Sequence, residues 1–143
     1  MKRHDSLVLL SRFHRSCLFL ALIAKENSPE VKGYPTDILG KIDYAISFYD
    51  GPLKKHFELE ERLWNYISNR SNELKTIIDE LTAERIQLHE LFIALSMNNS
   101  ESTLNQIGNL LETHVRKEER VLFQQIQNDL TEKELSHIAT ILS

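Results

Sequence analysis

Apolar positions recur every three to four residues along most of this chain, with charged and amide residues in the intervals. Residues 5–25 put Leu7, Leu10, Cys17, Leu18 and Ala21 on one helical stripe. ENSPEVKGYPT breaks the pattern with Pro29, Gly33 and Pro35, and Thr36 or Asp37 then caps a second helix carrying Ile38, Leu39, Ile42, Ala45, Ile46 and Phe48. Gly51-Pro52 predicts a kink, because proline removes a backbone donor, and the pattern resumes from Leu53 to Ser68. A third helix starts at Ser71 or Asn72 and runs to Met97, with Leu74, Ile77, Ile78, Leu81, Ile86 and Phe92 inward. NNS at 98–100 is a turn, and a fourth helix follows with Leu104, Ile107, Leu110, Leu111, Val121 and Leu122. Thr131 and Glu134 form a capping box for a short fifth helix, Glu132 to Leu142. Long amphipathic helices with short connections predict an all-α fold: an up-down-up-down four-helix bundle with a short C-terminal fifth helix, one domain over residues 1–143.

Composition narrows the function classes. The chain has 143 residues, 41% apolar and 27% charged, so it can bury one substantial core. A net charge of −4 leaves no basic surface for nucleic acid, and no Lys/Arg-rich amphipathic stretch marks a membrane surface. The single cysteine, Cys17, fits a reducing compartment. Lys2 and Arg3 precede an apolar run from Cys17 to Ala24, but Arg12, His14 and Arg15 interrupt what a signal peptide or membrane span would need. A cytoplasmic protein is expected.

Six histidines are present. His4 and His137 lie near the ends, on solvated positions. His14, His56, His89 and His114 fall one to each long helix, each on the apolar stripe and near the helix middle. At 1.5 Å rise per residue they share a slab about 10 Å thick. A lone buried histidine is usually a core residue with a satisfied hydrogen bond. Four at one level on four facing helices point instead to something that binds imidazole.

One phrase is written twice: HFELEERLW at 56–64 and HVRKEERVL at 114–122. In H-x-x-x-E the two side chains stand one above the other on a helix face. His56 and His114 assign that face to the interior, so Glu60 and Glu118 are buried carboxylates that need pairing or coordination. Glu61, Arg62, Glu119 and Arg120 rotate outward, to solvent or to a place behind the ligands. Four imidazoles and two carboxylates suit a pair of divalent first-row metals, the carboxylates bridging and the imidazoles terminal. Each imidazole then needs an acceptor for its second nitrogen, with Asp43 and Glu90 among the candidates.

These residues resemble the hemerythrin-like, or HHE cation-binding, domain family over almost the whole chain. RHDSLVLLSRFHRSCLFLA is similar to that family's opening helix, HFELEERLW to its second and HVRKEERVLF to its last ligand helix. The resemblance implies a non-haem centre of two iron ions, oxo- or hydroxo-bridged, with manganese or zinc as alternatives. It implies the ligands His14, His56, Glu60, His89, His114 and Glu118, with His89 paired with His114 on one metal and His14 with His56 on the other. The oxygen carriers place two histidines on the third helix, where ERIQLHELF has Arg85 and His89. Arg85 therefore leaves the His89 metal more open or weakly bound, or it directs its guanidinium at a bridging carboxylate. On the first of these, Arg85→His raises metal occupancy. The set of four His and two Glu looks more like the branch with iron-centre repair and iron-sensing proteins, although the cysteine-bearing N-terminal domain of the repair proteins is not in this sequence.

The expected function is a di-iron protein that binds or senses O2, NO or peroxide. The alternatives are an iron-handling, iron-centre repair, or peroxide- or NO-metabolising protein, and a metal-free helical interaction module. No acid–base pair or substrate pocket outside the metal set argues for an enzyme, and the oligomeric state is not legible.

Overall fold

Each long helix opens where a side chain caps it. The computed structural model describes residues 2–143. A 3-10 turn, Asp5–Leu7, leads into α1, Val8–Ala24. Asp37 caps α2, Ile38–Phe48, by accepting from the Gly40 amide. The chain continues without a break through a π-helical turn, Tyr49–Leu53, into α3, Lys54–Ile67. Ser71 caps α4, Asn72–Asn98, which stops at Asn99 in the left-handed region with φ 48°. Ser100 caps α5, Glu101–Lys117, and a second π-helical turn, Glu118–Leu122, joins it to α6, Phe123–Asp129. The capping box at Thr131 and Glu134 forms as expected and starts α7, Glu132–Ile141.

The long segments form an all-helical bundle in which each lies beside the next and α5 returns to α1. Short connections at 68–71 and 99–100 make their neighbours antiparallel. The closest approach is between α1 and α5. A Cβ on Gly108 would lie 2.8 Å from the Ala21 carbonyl and 3.1 Å from the Ala24 side chain, so only glycine admits that spacing. Two apolar layers result. One is built around Leu20, Ile42, Phe48, Phe92 and Leu111. The other, around Leu63, Leu81, Leu122, Phe123 and Ile138, is closed at its end by α7.

Gly51-Pro52, where a kink is expected, sits in the first π turn. A π turn widens the hydrogen-bonded ring by one residue, which absorbs a proline without its amide while the helix continues. The second π turn has the same effect on phase. It turns Val121 out to 45% exposed and brings Leu122 and Phe123 inward. Val121 was expected inside because a strict 3.6-residue period was carried through the bulge.

Asp5–Ala24 is, by length and composition, apolar enough to cross a membrane, contrary to the expectation that no segment reaches that length. Here it serves as a bundle helix, with Leu10, His14, Cys17, Leu20 and Ala21 buried against the others.

Candidate metal centre

Between the two apolar layers lies a polar one. Among the described residues, the buried charged and imidazole side chains are His14, His56, Glu60, His114 and Glu118. All are at most 4% exposed. The first π turn sets α3 in register so that Leu53, His56, Glu60 and Leu63 run down its inner face. On α5 the stripe Ile107, Leu111, His114 reaches Glu118 at the head of the second π turn.

His56 Nε2 is 3.4 Å from Glu60 Oε1, and His14 Nε2 is 3.7 Å from Glu60 Oε2. Glu118 divides its oxygens, one 3.5 Å from His14 Nε2 and the other 2.9 Å from His114 Nε2. One donor atom each from His14, His56, Glu60 and Glu118 lie within 4.8 Å of one another, the spacing of ligands around a cation. His114 stands on the far side of Glu118.

These donors are enclosed yet unsatisfied. The Nε2 atoms of His14, His56 and His114, both oxygens of Glu60 and one of Glu118 have no hydrogen-bond partner among the described residues. Each such group costs about 1–3 kcal/mol. That is a large cost for a domain whose whole stability is about 5–15 kcal/mol. A fold cannot carry that many orphans at one point unless something meets them, and nitrogen and carboxylate donors without a thiolate suit a first-row metal. Cys17 is buried in the apolar layer, and that burial pushes its thiol well above the usual range.

The electrostatics agree. Burial opposes charge on His14, but the hydrogen bond to Glu119 and the nearby Glu60 carboxylate outweigh it and raise its pKa to about 9. Burial likewise opposes charge on Glu60, but His56 and His14 hold it ionised, well below the usual carboxylate range. Without metal, then, a proton on His14 offsets the buried carboxylates.

Two imidazoles are held from behind. His14 Nδ1 lies 2.6 Å from Glu119, which also accepts from the Ser11 hydroxyl at 2.9 Å and from Arg3 at 3.1 Å. His114 Nδ1 lies 2.9 Å from Glu84, which accepts from Lys117 Nζ at 2.6 Å. A carboxylate on Nδ1 keeps that nitrogen protonated and turns the Nε2 lone pair to the centre. Asp43 and Glu90, the candidate acceptors, are exposed instead. Glu84 escaped the sequence reading although its signal was present: it lies on the stripe between Leu81 and Leu88, both fully buried.

The structure does not bring His89 to this group. His89 is exposed, and its Nδ1 meets the Tyr49 hydroxyl. The inner face of α4 continues Leu81, Arg85, Leu88, Phe92, Leu95, so Ile86, expected inward, is 58% exposed, and Ile93 is 46% exposed. The apolar pattern misled because the positions facing the polar layer are charged. Arg85 fills one of them. It does not reach a carboxylate of the centre, but donates to the Phe57 carbonyl at 2.5 Å and to Glu61 at 3.3 Å, over the rings of Phe57 and Trp64.

Residues 7–126 match the sequence model of the hemerythrin HHE cation binding domain. The comparisons with curated proteins and with solved structures give no significant match. The chain belongs to the hemerythrin HHE cation-binding family, and its buried His/Glu cluster makes it a metal-binding helical protein.

Proposed function

We propose that this member of the hemerythrin HHE family is a non-haem iron protein with two unequal metal positions, which binds or senses O2, NO or peroxide. The observation that carries the reading is the convergence of six enclosed, unpartnered donor atoms. His14, His56, Glu60 and Glu118 would hold the first position, and Glu118, with an oxygen toward each side, would bridge to a second at His114. α4 sends Glu84 and Arg85 rather than an imidazole toward that level, so the second position has fewer protein donors. His89, expected among the ligands, is left out of this set.

When bound, iron supplies a redox-capable Lewis acid with coordination positions left for a small ligand. The protein's own part is to position and to exclude. Glu119 and Glu84 orient His14 and His114, while the apolar layers on either side keep bulk water from the donors. Manganese and zinc would meet the same donors, and the family's cation-binding character favours no single metal.

Metal analysis of protein purified from its native background, with visible spectra in the absence and presence of air, tests the reading. Iron with an oxygen-dependent charge-transfer band supports it. Iron that turns over peroxide or NO without reversible binding would replace it with an enzymatic or iron-handling role. A metal-free protein would overturn it in favour of a helical interaction module. In an anaerobic ferrous titration the first equivalent is expected to bind more tightly than the second.

A further inference from the structure

Of the three buried imidazoles, His14 and His114 each have a carboxylate on Nδ1. His56 has none. Its Nδ1 is the one ring nitrogen of the three that is neither hydrogen-bonded nor sealed from solvent among the described residues. The ring instead stacks on Phe13, with centroids 4.4 Å apart, and lines the wall of a groove.

That groove lies between α1 and the junction of the first π turn with α3, open to solvent on its outer side, with a volume of about 710 Å³. Its walls are Leu9, Leu10, Phe13, Pro52 and Leu59, with Lys55 as the one charged residue. Lys25, Lys75 and Lys117 are each paired with a carboxylate. Lys55 has no such partner among the described residues. The π turn places Gly51, which has no side chain, and the compact Pro52 along this edge of the groove. An apolar cavity of this size with a few convergent polar groups has the character of a small-molecule site.

We propose that the groove binds an amphiphilic carboxylate, its apolar tail against Leu9, Phe13 and Leu59 and its head group on Lys55 and the His56 Nδ1–H. The ligand thereby supplies to His56 the carboxylate that Glu119 and Glu84 supply to the other two imidazoles. An unpaired ammonium, an unpaired ring N–H and an apolar wall select for both parts at once. A neutral tail forgoes the charge-assisted bonds from Lys55 and His56, and a head group alone leaves the wall wet. Occupancy favours the His56 tautomer whose Nε2 lone pair is free for a cation beside Glu60, which couples the groove to the metal position. This coupling rests on the metal-binding reading; the binding itself does not.

The test is calorimetric titration of the purified full chain with decanoate, with decanol as the tail alone and acetate as the head alone. Decanoate is expected to bind once per chain, and decanol and acetate each at least roughly ten-fold more weakly. Lys55→Gln should weaken decanoate roughly ten-fold and leave decanol unchanged. Leu9→Glu, at an exposed position on the groove wall, should abolish binding of both without changing the metal content. A crystal grown with decanoate should place its carboxylate within hydrogen-bond distance of His56 Nδ1. Absence of saturable decanoate binding, equal affinity for decanol, indifference to both substitutions, or a carboxylate turned into bulk solvent would each overturn the proposal. Metal content measured on the same preparation keeps the two readings apart. Decanoate binding by a metal-free chain leaves the groove and removes the centre, and metal without decanoate binding does the reverse.

Discussion

The two H-x-x-x-E-E-R segments share their histidine, both glutamates and arginine, and differ in what the second glutamate does. In both, the histidine and first glutamate are buried at the centre: His56 with Glu60, His114 with Glu118. In α3 the second glutamate, Glu61, has a side chain 64% exposed and pairs with Arg85. In the second π turn its counterpart, Glu119, is half-buried and gathers His14, Ser11 and Arg3. The difference lies in where the π turns fall. One precedes the α3 phrase, which then runs as regular helix; the other begins at Glu118 and rotates Glu119 toward α1. A helical spacing therefore identifies the inward pair, but the role of the next residue depends on local winding that the spacing does not record.

The largest expected effect comes from emptying the centre. If the enclosed donors are satisfied by metal, removal by a chelator lowers the melting temperature by roughly 10 °C, as for a ligand bound tightly and only to the native state. An unchanged melting temperature after verified loss of metal would make the cluster incidental.

The first glutamates come next. Glu118→Ala should lose both metal positions, because Glu118 faces His14 and His114 at once, whereas Glu60→Ala should strike chiefly the position beside His14 and His56. Metal content per chain separates the two, and equal losses would end the assignment of Glu118 as the bridge.

The second glutamates should then diverge. Glu119→Gln is expected to weaken metal binding roughly 10–100-fold, the usual effect of removing a partner behind a ligating histidine. Glu61→Gln should leave affinity unchanged. Similar behaviour in competition titrations would mean that the two phrases are equivalent after all.

A pH effect follows from His14. Its pKa is raised from 6.5 to about 9, so it binds a proton more tightly folded than unfolded. In the metal-free protein the resulting stabilisation is fully present below pH 6.5 and is lost as pH rises through about 9. Metal must displace the same proton, so apparent affinity should climb over that interval as metal-free stability falls. Melting curves and metal titrations between pH 6 and pH 9.5 would show opposite trends; parallel trends would remove His14 from the ligand set. The smallest effect is expected at His89. His89→Ala should leave metal content within error of the parent, and a clear loss would restore it to the centre.

Most of the architecture was legible because helix ends and apolar stripes are local features. Asp37, Ser71 and the Thr131–Glu134 box start helices where the sequence places them. His14, His56, Glu60, His114 and Glu118 were legible for a related reason: each sits on a stripe whose other members are apolar and buried. What failed is instructive on α4. There the positions facing the polar layer are Glu84 and Arg85, so apolar periodicity points instead to the face of Ile86 and His89, which is turned outward. The winding at 118–122 was equally hidden, since EERVL has no residue that forbids a regular α-turn. Both misses occur next to the centre, where packing and charge pairing override local preference.

Anomalous diffraction at the iron edge from crystals of the iron-loaded protein tests the central claim most directly. The account predicts a strong peak within coordination distance of His14, His56, Glu60 and Glu118, and a weaker one beside His114 sharing Glu118. It predicts none beside His89. No peak between these side chains, or iron found only on the surface or at His89, would contradict it.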